Sequence, residues 1–150
     1  MDTINNLITS IAQISFNNLP VEEGWGKYEI KVFSLRRMIE INASYTENGG
    51  QIKSFDPSYQ GEVDRDQDLT FLFMDLRKAM YDLSPEKGAW FTCEITVFSD
   101  DKFETKFNYD DKPNFSYEPT DDKYADDLKT FPREANLVPD WLREKIGRVG

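Results

Sequence analysis

Twenty-eight acidic side chains and no histidine set the chemical range of this sequence. Without imidazole, Ser-His-Asp and Cys-His nucleophile pairs lack their base and a zinc site lacks its nitrogen ligand. The single cysteine, Cys93, excludes a four-cysteine zinc site as well. Carboxylates are what remains. Asp64, Asp66 and Asp68 alternate as at the start of a calcium loop, but Leu69 stands at the sixth position where glycine is needed, and Asp75 replaces the bidentate glutamate at the twelfth. Leu69 also belongs to an apolar helical face, so acids gathered at a helix N-terminus are the simpler reading. These three aspartates are the only tight cluster on which a divalent-metal carboxylate enzyme could rest. Gly24-Trp25-Gly26 opens like a dinucleotide loop, yet Glu29 fills the place of the third glycine and no phosphate-binding Gly-Lys-Ser/Thr follows anywhere. No cofactor and no metal are expected.

The largest concentration of charge lies elsewhere. From Ser99 to Asp127 ten carboxylates face four lysines, with Phe103, Phe107, Tyr109, Phe115, Tyr117 and Tyr124 among them. Most charge runs are solvated faces. An excess of one sign beside tyrosines is also what a protein-binding surface needs, because aromatics supply contact energy and a one-sign field speeds encounter with an oppositely charged partner. The candidate partner-binding residues are therefore Asp100, Asp101, Glu104, Tyr109, Asp110, Asp111, Tyr117, Asp121, Asp122, Tyr124, Asp126 and Asp127. Phe103 and Phe107 alternate with polar neighbours and are assigned to the core. Of the three tryptophans, Trp141 is the one expected to depart from a pure core role, and Arg133 reads equally as a surface charge or a structural ion pair.

The elements that must hold this surface follow from periodicity. Ile4, Leu7, Ile8, Ile11 and Ile14 predict a helix from about Thr3 to Asn17, stopped at Leu19-Pro20. Tyr28, Ile30 and Val32, then Ile39, Ile41, Ala43 and Tyr45, carry the period of two of half-exposed strands. Glu47-Asn48-Gly49-Gly50 supplies a tight turn into a third strand through Ile52 and Phe55, ended by Asp56-Pro57. Leu69, Leu72, Phe73, Leu76, Met80 and Leu83 mark a second helix. Phe91, Cys93, Ile95 and Val97 share one face of a fourth strand, and Phe103 to Tyr109 form a fifth across the turn Ser99-Asp100-Asp101-Lys102. Thr120 is placed to cap a short helix with acids in its first turn, and Pro139 to open a last one ending at Gly147. Strands joined by hairpins imply an α+β fold: an antiparallel sheet of about five strands with helices packed mainly on one face.

Length bounds the rest. At 150 residues and 39% hydrophobic content the chain is read as a single domain, 1–150. A formal charge of −10 argues against nucleic acid or an anionic membrane as direct ligand and in favour of a basic protein. The opening Met1-Asp2-Thr3-Ile4-Asn5-Asn6 has no positive n-region, no apolar run approaches the length of a membrane span, and one buried cysteine suits a reducing compartment, so a cytoplasmic location is expected.

Two segments carry a family resemblance: Trp90-Phe-Thr-Cys-Glu-Ile-Thr-Val-Phe-Ser-Asp-Asp-Lys-Phe-Glu-Thr-Lys-Phe-Asn-Tyr-Asp-Asp111, and Phe131-Pro-Arg-Glu-Ala-Asn-Leu-Val-Pro-Asp-Trp141. The strand, the Asp-x-Lys-Phe turn, the Phe-x-Tyr-Asp strand and the Pro-Asp-Trp ending resemble the YezG-like family of bacterial immunity proteins. The likeness covers the last 60 or so residues; the segment from Leu35 to Asp64 departs from it, and Ala135-Asn136-Leu137-Val138 is only similar to the family's connector. It implies a non-enzymatic cytoplasmic antitoxin that binds the C-terminal toxin domain of a polymorphic or contact-dependent toxin, commonly a nuclease, and blocks it by steric occlusion.

Overall fold

Alternating apolar residues in the middle of the chain commit it to a sheet, and the computed structural model, which describes residues 2–149, shows the sheet that results. The elements run α1 (Asp2–Asn17), β1 (Trp25–Leu35), β2 (Met38–Glu47), β3 (Ile52–Ser54), α2 (Leu69–Leu83), β4 (Thr92–Phe98), β5 (Phe103–Asn108), α3 (Asp121–Thr130) and α4 (Asp140–Gly147). All five strands join one sheet in the order β3-β2-β1-β4-β5, and every pairing is antiparallel. The fold is α+β, as the strand and helix periods require.

Register fixes the two faces. Tyr28, Ile30 and Val32 of β1 stand opposite Val97, Ile95 and Cys93 of β4, so these side chains share one face. Ile8, Ile11 and Ile14 of α1 and Leu69, Leu72, Phe73 and Leu76 of α2 close over that face with Trp90 and form the main core. Cys93 lies within it as a free, fully buried thiol. Phe33 and Leu35 alternate out of phase with Val32 and serve a second cluster, built with Phe91, Phe115, Tyr124 and Leu142. The two long helices thus cover one face, and the C-terminal helices gather around the far end of β1.

Two assignments change. Phe91 was expected in line with Cys93, but β4 begins at Thr92 and Phe91 joins the second cluster, leaving Trp90 in the main core. Its amide donates to Asn108 O and its carbonyl accepts from Ser34 N, which anchors it beside the end of β1. Phe103 was assigned to the core and is 55% exposed, because it sits at the outer corner of the edge strand β5 beyond the cover of α1.

A buried ion pair joins the two clusters. Arg77 of α2 (2% exposed) meets Asp127 of α3 (4%) through both guanidinium nitrogens, Nη2 lying 3.0 Å from Oδ2. Arg77 Nε donates to Trp90 O at 2.7 Å, and the Arg36 amide donates to Asp127 Oδ1 at 2.7 Å. The guanidinium also stacks 5.2 Å from Phe131 and 5.9 Å from both Trp90 and Phe91. Both carboxylate oxygens and all three guanidinium nitrogens thus have a partner, without which a buried pair of this kind would cost stability. Removing one partner strands the other charge. Asp127→Ala is expected to destabilise by about 3–5 kcal/mol in urea unfolding, and replacing both residues by apolar ones (Arg77→Met with Asp127→Leu) by less than either single change.

Candidate functional site

The acidic stretch is divided by the fold into parts that do not meet. At one end of β5 the turn after β4 places Asp101 at φ 72°, in the left-handed region that aspartate tolerates. Asp101 N donates to Phe98 O at 3.0 Å and Lys102 N to Asp100 Oδ1 at 3.2 Å, so the tip is held by one backbone bond and one bond to the Asp100 carboxylate, with both acids exposed. The nearest cation to Asp100 is the exposed Lys102, 3.9 Å away, and Asp101 and Glu104 make no ion pair among the described residues. Glu104 lies on the open face of the sheet, near Glu94 and Lys106, because it pairs with Thr96 and not with the core positions.

The same end of the sheet carries residues that the charge run does not include. Ser99 N donates to Gly26 O, which sets the start of β1 beside the tip, and Asn48 N donates to Gly24 O, which ties the chain before β1, with exposed Glu22 and Glu23, to the β2–β3 turn at the same end of the sheet. Phe16, 50% exposed at the end of α1, and Phe103 line a shallow groove of about 310 Å³ with Ala12, Tyr28, Val97 and Asp101. Phe16 also rests 6.3 Å from Trp25. Phe16 was legible in principle: it is the large apolar residue of α1 that lies off the Ile4–Ile14 stripe. Glu22 and Glu23 were not, since only the sheet pairing brings them to the same end of the molecule as Asp100.

Six residues of β5, roughly 20 Å of extended chain, separate this tip from the second acidic part. There Asn108 Oδ1 accepts from the amides of Asp110 and Asp111, and Asp111 Oδ2 accepts from Asn108 Nδ2, so these acids shape a turn while remaining exposed. Trp141 Nε1 donates to Asp110 O at 2.6 Å, and its ring packs 5.2 Å from Phe91 and 5.7 Å from Tyr124. Tyr109 is half-buried, and burial pushes its phenol up. Tyr117, 84% exposed, is the only tyrosine of the stretch fully presented to solvent. Arg133 proves to be neither a surface charge nor chiefly an ion pair: its side chain is buried and donates to the carbonyls of Tyr109, Ala89 and Leu137. Gly88, at φ 82°, leaves room for it, since a Cβ there would collide with the Arg133 guanidinium.

On α3 the candidates separate again, and two are corrected. Tyr124 is 0% exposed and Asp127 is 4% exposed, so neither can touch a partner: one fills the second cluster and the other neutralises Arg77. Helical period explains both, because positions 124 and 127 share the inward side of α3. Asp126 is held by Arg36 at 3.1 Å and by Arg37 at 3.6 Å. Asp121 is paired with Arg148 at 2.7 Å and Lys145 at 3.5 Å, and the Arg148 hydrogen bond outweighs the opposing effect of desolvation and holds its carboxyl below the ordinary range. Asp122 alone stays exposed and without an ion pair among the described residues. Spare charge therefore remains at the tip, on Asp100, Asp101 and Glu104, and at Asp111 and Asp122 beyond the far end of β5.

The aspartates weighed as a metal site do not assemble one. Asp68 caps α2, accepting from Thr70 N at 2.9 Å, and no group of three acidic, cysteine or histidine side chains that could hold a metal occurs among the described residues. No described helix is long and apolar enough to cross a membrane. Compared with protein-family models and with curated proteins, the chain matches none.

Glu118 ties the second acidic part together, accepting from Tyr124 Oη at 3.0 Å and pairing with Lys112 and Lys145 at 2.9 Å each. Burial raises its pKa, and the hydrogen bonds from Lys145, Lys112 and Tyr124 outweigh that and leave it below the ordinary 4.5. A depressed carboxyl contributes stability above its unfolded pKa and loses it as pH falls through the folded value. Thermal melts between pH 7 and pH 3 are therefore expected to show a smaller acid-induced drop in Tm for Glu118→Gln than for the native chain, from a lower starting Tm at pH 7.

Proposed function

We propose that this chain is a cytoplasmic immunity protein that binds a basic toxin domain, expected to be a nuclease, and occludes it without chemistry of its own. The observation that carries the reading is the end of the sheet, where Asp100, Asp101, Glu22 and Glu23 are exposed without a close cation other than Lys102, beside the exposed rings of Phe16 and Phe103. Spare carboxylates attract a cationic partner over distances set by ionic strength, and the rings give it a desolvated contact once it arrives. A net charge of −10 extends the attraction over the whole molecule. A nucleic-acid-cleaving domain presents a positive cleft to its phosphate substrate, the charge that such a surface complements. The resemblance of Trp90–Asp111 and Phe131–Trp141 to YezG-like immunity proteins supports the same reading.

The mechanism is encounter steered by the tip acids, then steric cover of the toxin. Asp122, Asp110, Asp111 and Tyr117 form a separate exposed set that can widen the contact from the far end of β5. The decisive experiment is co-expression with the toxin domain encoded in the neighbouring reading frame: rescued growth and a co-purified complex are expected, and absence of protection overturns the proposal. In stopped-flow binding, Asp100→Lys with Asp101→Lys is expected to slow association at least ~10-fold at low salt and to flatten its salt dependence. An association rate unchanged by that reversal would remove the tip from the interface.

A further inference from the structure

β5 closes the sheet with no strand on its outer side. Phe98 N donates to Lys102 O at 2.8 Å, and the register continues through Thr96–Glu104, Glu94–Lys106 and Thr92–Asn108. In an antiparallel ladder bonded pairs alternate with unbonded ones, so the backbone N–H and C=O groups of Phe103, Thr105 and Phe107 point outward. No turn, loop or side-chain hydrogen bond reaches them among the described residues. An edge of this kind is a template for another strand.

The side chains specify which strand. Glu104 and Lys106 lie on the open face, and Phe103, Thr105 and Phe107 on the helix-bearing face. Two copies of β5 set antiparallel about a twofold axis through Thr105 place Glu104 opposite Lys106 of the second copy, and the symmetry repeats that pair. They also place Phe103 opposite Phe107 twice, and Thr105 against itself. Moving the axis to Glu104 or to Lys106 keeps the backbone bonds but opposes like charges, which destabilises a cross-strand pair. The outward groups of Thr105 are those that a bonded central pair requires. Phe103, exposed at 55% although its alternation turns it to the core side, gains a cross-strand ring to lie against.

We propose that the chain forms a twofold homodimer in which the two β5 strands pair antiparallel about Thr105, giving one continuous ten-stranded sheet. Asp100 and Asp101 stay beyond the ladder, and each tip is carried toward the Asp110-Asp111 end of the other copy. Each copy brings a charge of −10, so long-range repulsion opposes the pairing, and salt, which screens it within about 8 Å at physiological strength, strengthens the dimer. This is the opposite sign to that of a steered complex with a basic toxin. A contact confined to one short strand pair falls at the small end of interface sizes, so association belongs in the micromolar range or weaker.

Sedimentation of the purified chain from about 10 μM to about 1 mM, in about 0.5 M NaCl, is expected to show the mass doubling with concentration. Lys106→Glu and Glu104→Lys are each expected to remain monomeric, because each opposes like charges across the axis, and an equimolar mixture of the two to form a heterodimer. Thr105→Pro removes an outward N–H that β4 does not use, and is expected to abolish dimerisation with the circular dichroism spectrum and Tm close to those of the native chain. A native chain monomeric throughout that range, a dimer unaffected by Thr105→Pro, or a folded charge-swapped pair that does not associate on mixing would each overturn the proposal. None of these measurements involves a toxin, so their outcome is independent of the immunity reading.

Discussion

One buried carboxylate determines where the C-terminal third can lie. Asp127 receives two guanidinium nitrogens from Arg77 on α2 and the amide of Arg36 at the β1–β2 turn. An aspartate taken out of water with fewer partners would cost several kcal/mol, so α3 has few orientations in which its burial is tolerated. Once α3 is placed, Tyr124 falls into the second cluster, Trp141 packs across it, and Asp126 lies beside Arg36 and Arg37. The specificity of that docking resides in hydrogen-bond geometry; hydrophobic burial supplies the driving force but tolerates many arrangements.

Charge in this protein is consequently of two kinds. Most acids of α3 and the connector before it are spent on cations of the same chain, Asp121 on Arg148 and Lys145, Glu118 on Lys112 and Lys145, Asp126 on the β1–β2 arginines, with Asp111 and Asp122 left over. The tip acids have no such neighbours apart from exposed Lys102. Net charge per segment is therefore a poor guide to available charge, because a carboxylate already neutralised by a fixed guanidinium contributes little field to an approaching partner.

Much of the fold was legible because its period is written locally. The Ile4–Ile14 and Leu69–Leu83 stripes, the β1 alternation and the Ser99–Lys102 turn each required only a window of ten or so residues, and the elements fall where those windows place them. Phe91 and Phe103 failed at strand ends: alternation states neither where a strand begins, and Phe91 lies just before Thr92, nor whether anything covers the face, and Phe103 is left open. Tyr124 and Asp127 failed because an acidic helix with an inward Tyr-x-x-Asp pair looks solvated until Arg77, fifty residues earlier, is known to be waiting for it. Arg133 escaped because its partners are backbone carbonyls, which a sequence does not distinguish.

Cys93 sits at the seam of β1 and β4, opposite Val32 and Phe107, with 0% exposure, and burial pushes its thiol far above the ordinary value. Neither thiolate nor access exists while the chain is folded. Thiol-directed alkylating reagents therefore find no thiol to modify, and any cysteine labelling of the native sequence is a clock of its opening. A cysteine introduced at the tip would be the one thiol such a reagent could reach, so the surface offered to a partner can carry a spectroscopic probe without first removing a residue from the core.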